Sequence, residues 1–162
     1  MSQTQKRYAE QKHRLVQNYL EKQFPACEVK YNGLEGLDHA ITFNGKTVYI
    51  ETKTCKRTIK GGLNRLEGRP FIEQTYRMGR FRFNKEQNIY PYKKSQHEDL
   101  VDLDGWYIFV VGYRIRGIKA KEVDEFIKGN WTTKRITWDK VMYKTRPDWL
   151  ENLKSEVYGV KK

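Results

Sequence analysis

The residues with the clearest capacity for chemistry are two carboxylates and a lysine, Asp38, Glu51 and Lys53. Residues 47–54 have the composition of a β-strand, and side chains two positions apart on a strand point to the same face. Glu51 and Lys53 are therefore predicted to share one face. Carboxylates suit Mg²⁺, which is often bound together with substrate phosphates. A metal held there could activate a water and polarise a phosphate, while Lys53 could stabilise the charge that develops on that phosphate.

Asp38 is predicted to reach this face through a tight turn. Residues 37–43 also have the pattern of a strand, and Asn44-Gly45 between the two strands is a strong hairpin signal. The hairpin would place Asp38 beside Glu51. The alternative for the Glu51–Lys53 pair is an ordinary ion pair on an exposed strand, which would contribute little to stability.

The remaining elements predict a single mixed α/β domain. Its expected core is a central mixed β-sheet flanked by helices, in the order αβββαβ. We expect this core to span residues 1–128, with a C-terminal extension over residues 129–162 packed on it. The other expected elements are helices over residues 5–24, 85–103 and 120–128 and from 148 onwards, and strands over 26–31, 106–113 and 114–118.

The charge of the chain indicates a polyanionic partner. Lys and Arg number 32 against 20 Asp and Glu, which gives a net charge of +12. Such a surface attracts nucleic acid without regard to sequence, so we expect a nucleic-acid partner; the alternative is a basic protein that binds acidic proteins or lipids. Residues 56–70 lack periodicity and predict a flexible loop that contacts the DNA backbone or enters a groove. The candidate DNA-binding residues are Lys56, Arg57, Lys60, Arg65, Arg69, Arg77, Arg80 and Arg82.

Other features of the sequence narrow the setting. Cys27 and Cys55 have no metal-site spacing and are too few for a disulfide framework, and no apolar run is long enough to cross a bilayer. We therefore expect a cytoplasmic protein without membrane contact. His39 is predicted to be a hydrogen-bonded core residue, whereas His13 and His97 lie among charged residues and are predicted to be solvated.

These motifs resemble the PD-(D/E)xK nuclease superfamily, and most closely the archaeal-type Holliday junction resolvases. That resemblance covers roughly residues 5–112, with twelve residues between Asp38 and Glu51 and with Leu37 in the place of the proline of the named motif. The matching pieces are Ala9-Glu10, Gly36-Leu37-Asp38 and Ile50-Glu51-Thr52-Lys53-Thr54.

The resemblance implies a fold, a metal and a set of site residues. It implies a restriction-endonuclease-like core and Mg²⁺ or Mn²⁺ held by Asp38, Glu51 and the backbone carbonyl of Thr52. Lys53 would be catalytic, and Glu10 would be a further acidic site residue, unless Glu10 is only an exposed helix glutamate. The implied activity is that of a Mg²⁺-dependent endodeoxyribonuclease.

Three functions remain open at this level. The first is a metal-dependent DNA endonuclease that acts on branched or junction DNA. The second is a sequence-specific endonuclease of the homing, restriction or phage type, and both would favour a homodimer or a higher homo-oligomer because two strands must be cut. The third is a nucleic-acid-binding module without catalysis, in which exposed tyrosines stack on bases.

Overall fold

A computed structural model of the chain describes residues 3–32, 37–65, 72–84, 95–127 and 133–159. Its strands are β1 (Glu28–Tyr31), β2 (His39–Phe43), β3 (Lys46–Cys55), β4 (Thr58–Arg65), β5 (Ile72–Met78), β6 (Arg80–Asn84), β7 (Trp106–Val111), β8 (Arg114–Lys119) and β9 (Thr133–Thr137). Its helices are α1 (Gln3–Gln23), α2 (Gln96–Asp102), α3 (Ala120–Phe126), α4 (Trp138–Lys144) and α5 (Trp149–Tyr158).

A five-stranded sheet forms the centre of the fold, in the order β1-β2-β3-β7-β8. Strands β3 and β7 are parallel, and the other neighbouring pairs are antiparallel. The sheet is therefore mixed and flanked by helices, which confirms the predicted fold class. Two further antiparallel pairs, β4–β5 and β6–β9, lie outside this sheet.

The β2–β3 turn forms as predicted at Asn44 and Gly45. Both residues have positive φ, 49° and 78°. Two-residue hairpin turns of the I′ type need positive φ at both central positions, and Asn-Gly accepts this at low cost. This turn sets the register of β2 on β3, in which His39 lies opposite Ile50.

Helices and short strands cover both faces of the sheet. One face packs against α1 and α5, through residues such as Leu20 and Leu153. The other face packs against α2, α3, α4 and the β6–β9 pair, whose Phe81 and Phe83 are almost fully buried. All six residues of β7 are buried, as expected for a strand that is covered on both faces.

The C-terminal part of the chain contributes to this packing. Strand β9 pairs with β6, and Trp149 and Leu153 of α5 belong to the same apolar cluster as α1. The division of the chain at residue 128 remains a prediction. Among the described residues, no helix combines the length and apolar character that a membrane span requires.

The structure corrects the predicted loop over residues 56–70. Residues 58–65 form β4, which pairs with β5, so most of this segment is one arm of a β-hairpin. The ladder is irregular between Lys60 and Leu63, where Gly61 and Gly62 stand. The two glycines interrupt the alternation of side chains, which explains why the sequence showed no strand period.

The helix predicted from Lys85 begins later. Asn84, the expected cap, is the last residue of β6, and residues 85–94 lie outside the described part of the chain. Helix α2 is capped by Ser95, whose hydroxyl accepts a hydrogen bond from the Glu98 N–H at 3.2 Å. Ser95 is a typical N-cap residue, and Glu98 at the third helical position is typical of the capping box.

Candidate active site

The structure brings Asp38 and Glu51 together. Asp38 immediately precedes β2, so the β2–β3 register places it next to Glu51. Asp38 Oδ2 accepts a hydrogen bond from the Thr52 N–H at 2.8 Å, and the two carboxyl groups are hydrogen-bonded to each other. Asp38 is 2% exposed and Glu51 is 6% exposed. Ionising both of these buried, contacting carboxyl groups is unfavourable in free energy, because burial disfavours each charge and the two negative charges repel each other.

This unfavourable environment mainly affects the pKa of Glu51. Burial, and then the charge of Asp38 and the hydrogen bond to it, raise the pKa of Glu51 to about 9, while Lys53 acts in the opposite direction. The Glu51 carboxyl therefore holds a proton at neutral pH and donates it to Asp38. Its Oε2 is buried and has no hydrogen-bond partner among the residues that the structure describes. Burial also raises the pKa of Asp38, against the opposing effects of His13, the Glu51 hydrogen bond and the Thr52 N–H.

Lys53 lies on the same sheet face as Glu51 and is held by β6. Its Nζ donates to the backbone carbonyl of Arg82 at 2.8 Å and lies 5.5 Å from the centre of the Phe83 ring. Burial lowers the pKa of Lys53, and the Glu51 and Asp38 carboxylates oppose that effect. The lysine is thus fixed beside the acidic pair by a neutral carbonyl.

His13 on α1 is a neighbour of the site that the sequence interpretation missed. Its Nε2 lies 3.8 Å from Asp38 Oδ2, and the residue is 6% exposed, so the prediction of a solvated side chain was wrong. Its Nδ1 is buried and has no hydrogen-bond partner in the described ranges. His13 stands three residues after Glu10 on the same helix, and residues at that spacing share a helix face. This spacing from Glu10 is the sequence signal that could have indicated that His13 lies near the site.

Glu10 itself is exposed on α1. The pKa of the Tyr31 hydroxyl is raised by burial and then by the charges of Asp38 and Glu10, which places both carboxylates near this tyrosine. Glu10 therefore lies towards the acidic pair without a direct contact to it. Its role in the site remains a prediction.

His39 is a buried structural residue, as predicted. Its Nδ1 is 2.9 Å from Gln17 Oε1 and its Nε2 is 2.7 Å from Thr52 Oγ1. Burial, and then the neighbouring His13, lower the pKa of His39 to about 3, so its ring is neutral. Thr52 is consequently tied on two sides, by its hydroxyl to His39 and by its N–H to Asp38. This restrains the backbone between Glu51 and Lys53.

His97 is also buried, which contradicts the prediction that it is solvated. Its Nδ1 lies 2.7 Å from the Tyr107 hydroxyl and its Nε2 lies 2.9 Å from Asp124 Oδ1. Tyr107 stands beside Glu51 in the β3–β7 ladder. Burial, and then the charges of Glu51 and Asp124, raise the pKa of Tyr107 well above its ordinary value. A chain of polar side chains therefore runs from the exposed Asp124 through His97 to Tyr107, which lies beside Glu51.

The structure describes most of the predicted DNA-binding residues. Arg80 and Arg82 are on β6, close to Lys53, and Lys56 and Arg57 follow the end of β3. Lys60 and Arg77 are exposed on the β4–β5 hairpin. The Arg65 backbone belongs to β4, but its side chain and the whole of Arg69 lie outside what the structure describes.

The residues at the acidic pair fit a hard cation in chemical type. Two carboxyl groups converge there, and the buried Oε2 of Glu51 has no hydrogen-bond partner within the part of the chain that the structure describes. The expected ligand set adds only the backbone carbonyl of Thr52. Among the described residues, no group of three or more His, Cys, Asp or Glu side chains could hold a metal ion. Any site here would therefore depend on two carboxylates and on oxygens from the backbone, water or substrate.

Comparison with solved structures finds a likeness to a known enzyme. The structure is similar to that of a bacterial homing endonuclease, I-Ssp6803I, with a TM-score of 0.49 and 12% sequence identity over 100% of both chains. No protein-family model matches the sequence, and no curated protein matches it significantly.

Proposed function

We propose that this protein is a DNA endonuclease that hydrolyses phosphodiester bonds with Mg²⁺ or Mn²⁺ as cofactor. The observation that carries the proposal is the buried Asp38–Glu51 pair with Lys53 on the same face, where one Glu51 oxygen has no hydrogen-bond partner among the described residues. The pair is unfavourable as an isolated structural feature. A bound divalent cation would favour the ionised form of both carboxylates and offset that cost.

The roles of the chain's own residues follow from their positions. Asp38, Glu51 and the Thr52 carbonyl would hold the metal, which supplies Lewis-acid charge and a more acidic water. The Arg82 carbonyl holds the Lys53 ammonium beside them, where it can stabilise negative charge on the attacked phosphate. The Thr52 hydrogen bonds keep Asp38 and the strand in place. Glu10 is assigned a secondary acidic role at the rim.

The substrate class has two candidates, a branched junction and a specific duplex sequence. The β4–β5 hairpin supports the second, because a two-stranded ribbon can enter the major groove. On it, Lys60 lies opposite Tyr76, which is 65% exposed, and the neighbouring Arg77 is also exposed. Cutting both strands of either substrate favours a homodimer or a higher homo-oligomer.

A panel of nucleic acids tests the proposal. Four-way junction, linear duplex, single-stranded DNA and RNA are incubated with Mg²⁺, Mn²⁺ or EDTA. We expect metal-dependent cleavage of a DNA substrate, and a loss of at least about 100-fold in Asp38→Asn and Glu51→Gln, because each removes a metal-binding charge.

Glu28→Gln is the matched control for these two variants. Glu28 is an exposed carboxylate on β1 beside Lys30, at 3.5 Å, so its loss should leave cleavage unchanged. Cleavage that persists in both site variants would refute the site. Salt-sensitive DNA binding without cleavage under any metal condition would instead indicate the non-catalytic binding module.

A further inference from the structure

A cavity of about 440 Å³ lies beside the exit of β3, next to the acidic site. Its walls come from the start of α1, the end of β3 and the β6–β9 pair. Four of the residues that line it are basic, and no acidic residue is among the described residues around it. These four are Lys56, Arg80, Arg82 and Arg135. The cavity is thus a concave surface of one charge sign.

The β6–β9 ladder places two arginines directly opposite each other. Arg82 pairs with Arg135 in the register, and Arg80 stands two positions before Arg82, on the same face. Like charges at opposite positions destabilise a strand pair. No carboxylate of the described residues forms an ion pair with any of the three arginines. An anion bound between Arg82 and Arg135 would relieve this repulsion.

Burial on the opposite face of the β6–β9 pair fixes these arginines in place. Phe81 and Phe83 are 1% and 0% exposed and anchor β6 in the core. Because side chains alternate along a strand, Arg80 and Arg82 must then point away from that core. Arg82 is exposed and Arg80 is partly exposed, so both side chains remain available to a ligand.

The Tyr8 ring packs against Lys56 in the wall of the cavity. The Tyr8 ring lies 5.5 Å from Lys56 Nζ and 5.4 Å from Lys12 Nζ, and its hydroxyl donates to the Cys55 carbonyl at 3.4 Å. Two ammonium groups thus share one ring, which adds to the local positive charge. Lys12 and Tyr8 were not among the DNA-binding residues predicted from the sequence.

The cavity is joined to the candidate active site through one residue. Arg82 gives its side chain to the cavity and its backbone carbonyl to Lys53 Nζ, at 2.8 Å. If a DNA strand is cleaved beside Lys53, the phosphates next to the cleaved one would therefore lie near Arg82. Guanidinium groups bind phosphate oxygens through paired hydrogen bonds, which suits this geometry.

We propose that this cavity binds the sugar-phosphate backbone of the substrate strand next to the cleavage position, with Arg82 and Arg135 sharing one phosphate. Arg135 is the residue that this proposal adds to the interface. The proposal rests on the proposed function for the identity of the strand. It does not depend on catalysis, because a phosphate contact can be measured without metal.

The test compares Arg135→Gln with Arg146→Gln for binding of a labelled DNA duplex in EDTA. Arg146 is exposed and lines a different cavity, beside Trp106. Both substitutions replace arginine with glutamine and therefore remove the same charge. Binding is titrated from about 50 to 200 mM salt. Arg135→Gln should weaken binding roughly tenfold and lower the salt slope by about one, whereas Arg146→Gln should change neither.

Thermal unfolding separates a binding role from a structural role. Without DNA, Arg135→Gln should keep or raise the Tm, because it removes the repulsion with Arg82. Added DNA should raise the Tm of Arg135→Gln by less than it raises the Tm of the wild type. Arg135→Lys should bind with intermediate strength, since lysine keeps the charge but lacks the paired donors. A variant that is destabilised without DNA and that binds DNA normally would overturn the proposal.

The remaining outcomes distinguish this cavity from the proposed function. If the wild type does not cleave but Arg135→Gln lowers the salt slope, the cavity assignment stands and the cleavage proposal fails. If cleavage occurs and Arg135→Gln binds like Arg146→Gln, the cavity assignment is refuted alone. Stabilisation of the wild type by inorganic phosphate, lost in Arg135→Gln without any change in DNA binding, would refute the assignment to a nucleic-acid strand.

Discussion

Replacing Glu51 with glutamine should stabilise the fold while it abolishes cleavage. Glu51 is 6% exposed, and its pKa of about 9 lies far above the value of 4.5 for an unperturbed glutamic acid. Between these two values the folded chain holds a proton that the unfolded chain has lost. Stability therefore falls as pH rises through this interval. Glutamine resembles the protonated acid in shape and can still donate to Asp38, but it has no proton to lose on unfolding.

The size of the effect follows from the two pKa values. Each pKa unit corresponds to about 1.4 kcal/mol, so at pH 7 the wild type bears a cost of about 3 kcal/mol relative to the glutamine variant. The cost is absent below about pH 4 and reaches its full value above about pH 9. For a chain of this length, 3 kcal/mol corresponds to a rise in Tm of about 6 to 12 °C.

Urea unfolding in EDTA at several pH values measures this difference. The free energy of unfolding of Glu51→Gln and of the wild type should converge near pH 4 and separate steadily as the pH rises. Glu28→Gln is the control, because Glu28 is exposed and its replacement should change stability by less than about 0.5 kcal/mol.

A constant difference between wild type and Glu51→Gln from pH 4 to pH 9 would refute the reasoning. So would a glutamine variant that is less stable at pH 8, since it would mean that the ionised Glu51 carboxylate stabilises the metal-free fold. Either result would also remove the main physical reason for placing a cation at this pair.

Three further predictions concern hydrogen bonding, packing and thiol reactivity. His39→Ala should lower the free energy of unfolding by about 2 to 4 kcal/mol, measured in urea, because it leaves two buried hydrogen-bonding groups without a partner. Gly117→Ala should lower the free energy of unfolding by about 1 to 3 kcal/mol in the same assay, because its new Cβ would clash with the Trp149 ring. Burial raises the pKa of the Cys55 thiol to about 12, so mass spectrometry after iodoacetamide treatment at pH 8 should find Cys27 modified long before Cys55.

The elements that the sequence predicts well are those set by local rules. The β2–β3 hairpin depends on Asn44-Gly45 and on two short runs of strand-forming residues, all within about twenty positions. The meeting of Asp38 and Glu51 follows from that hairpin alone, since turn position fixes register. The buried strand β7 can also be predicted from the sequence, because six consecutive apolar or aromatic residues suit a strand covered on both faces.

The parts that the sequence could not predict depend on distant contacts. His13 and His97 stand among charged neighbours in the sequence, yet each faces a buried partner from another element, Asp38 and Tyr107 respectively. The like-charged pair of Arg82 and Arg135 arises from strands 53 positions apart, and no local pattern indicates that they meet. Periodicity reports which face of an element is apolar, but not which element will cover it.

The charge distribution along β3 explains how one strand can serve both parts of the proposed site. Ionised carboxylates would repel a phosphate backbone, yet the proton on Glu51 removes one of these charges from the metal-free protein at neutral pH. Lys53 separates the acidic pair from the arginines of β6, and it contacts the backbone of Arg82 rather than its charge. DNA could therefore dock on the basic cavity before a metal is bound. A cation that binds later would displace the proton from Glu51. Because both the carboxylates and the DNA phosphate attract that cation, metal binding should be stronger with DNA present than without it.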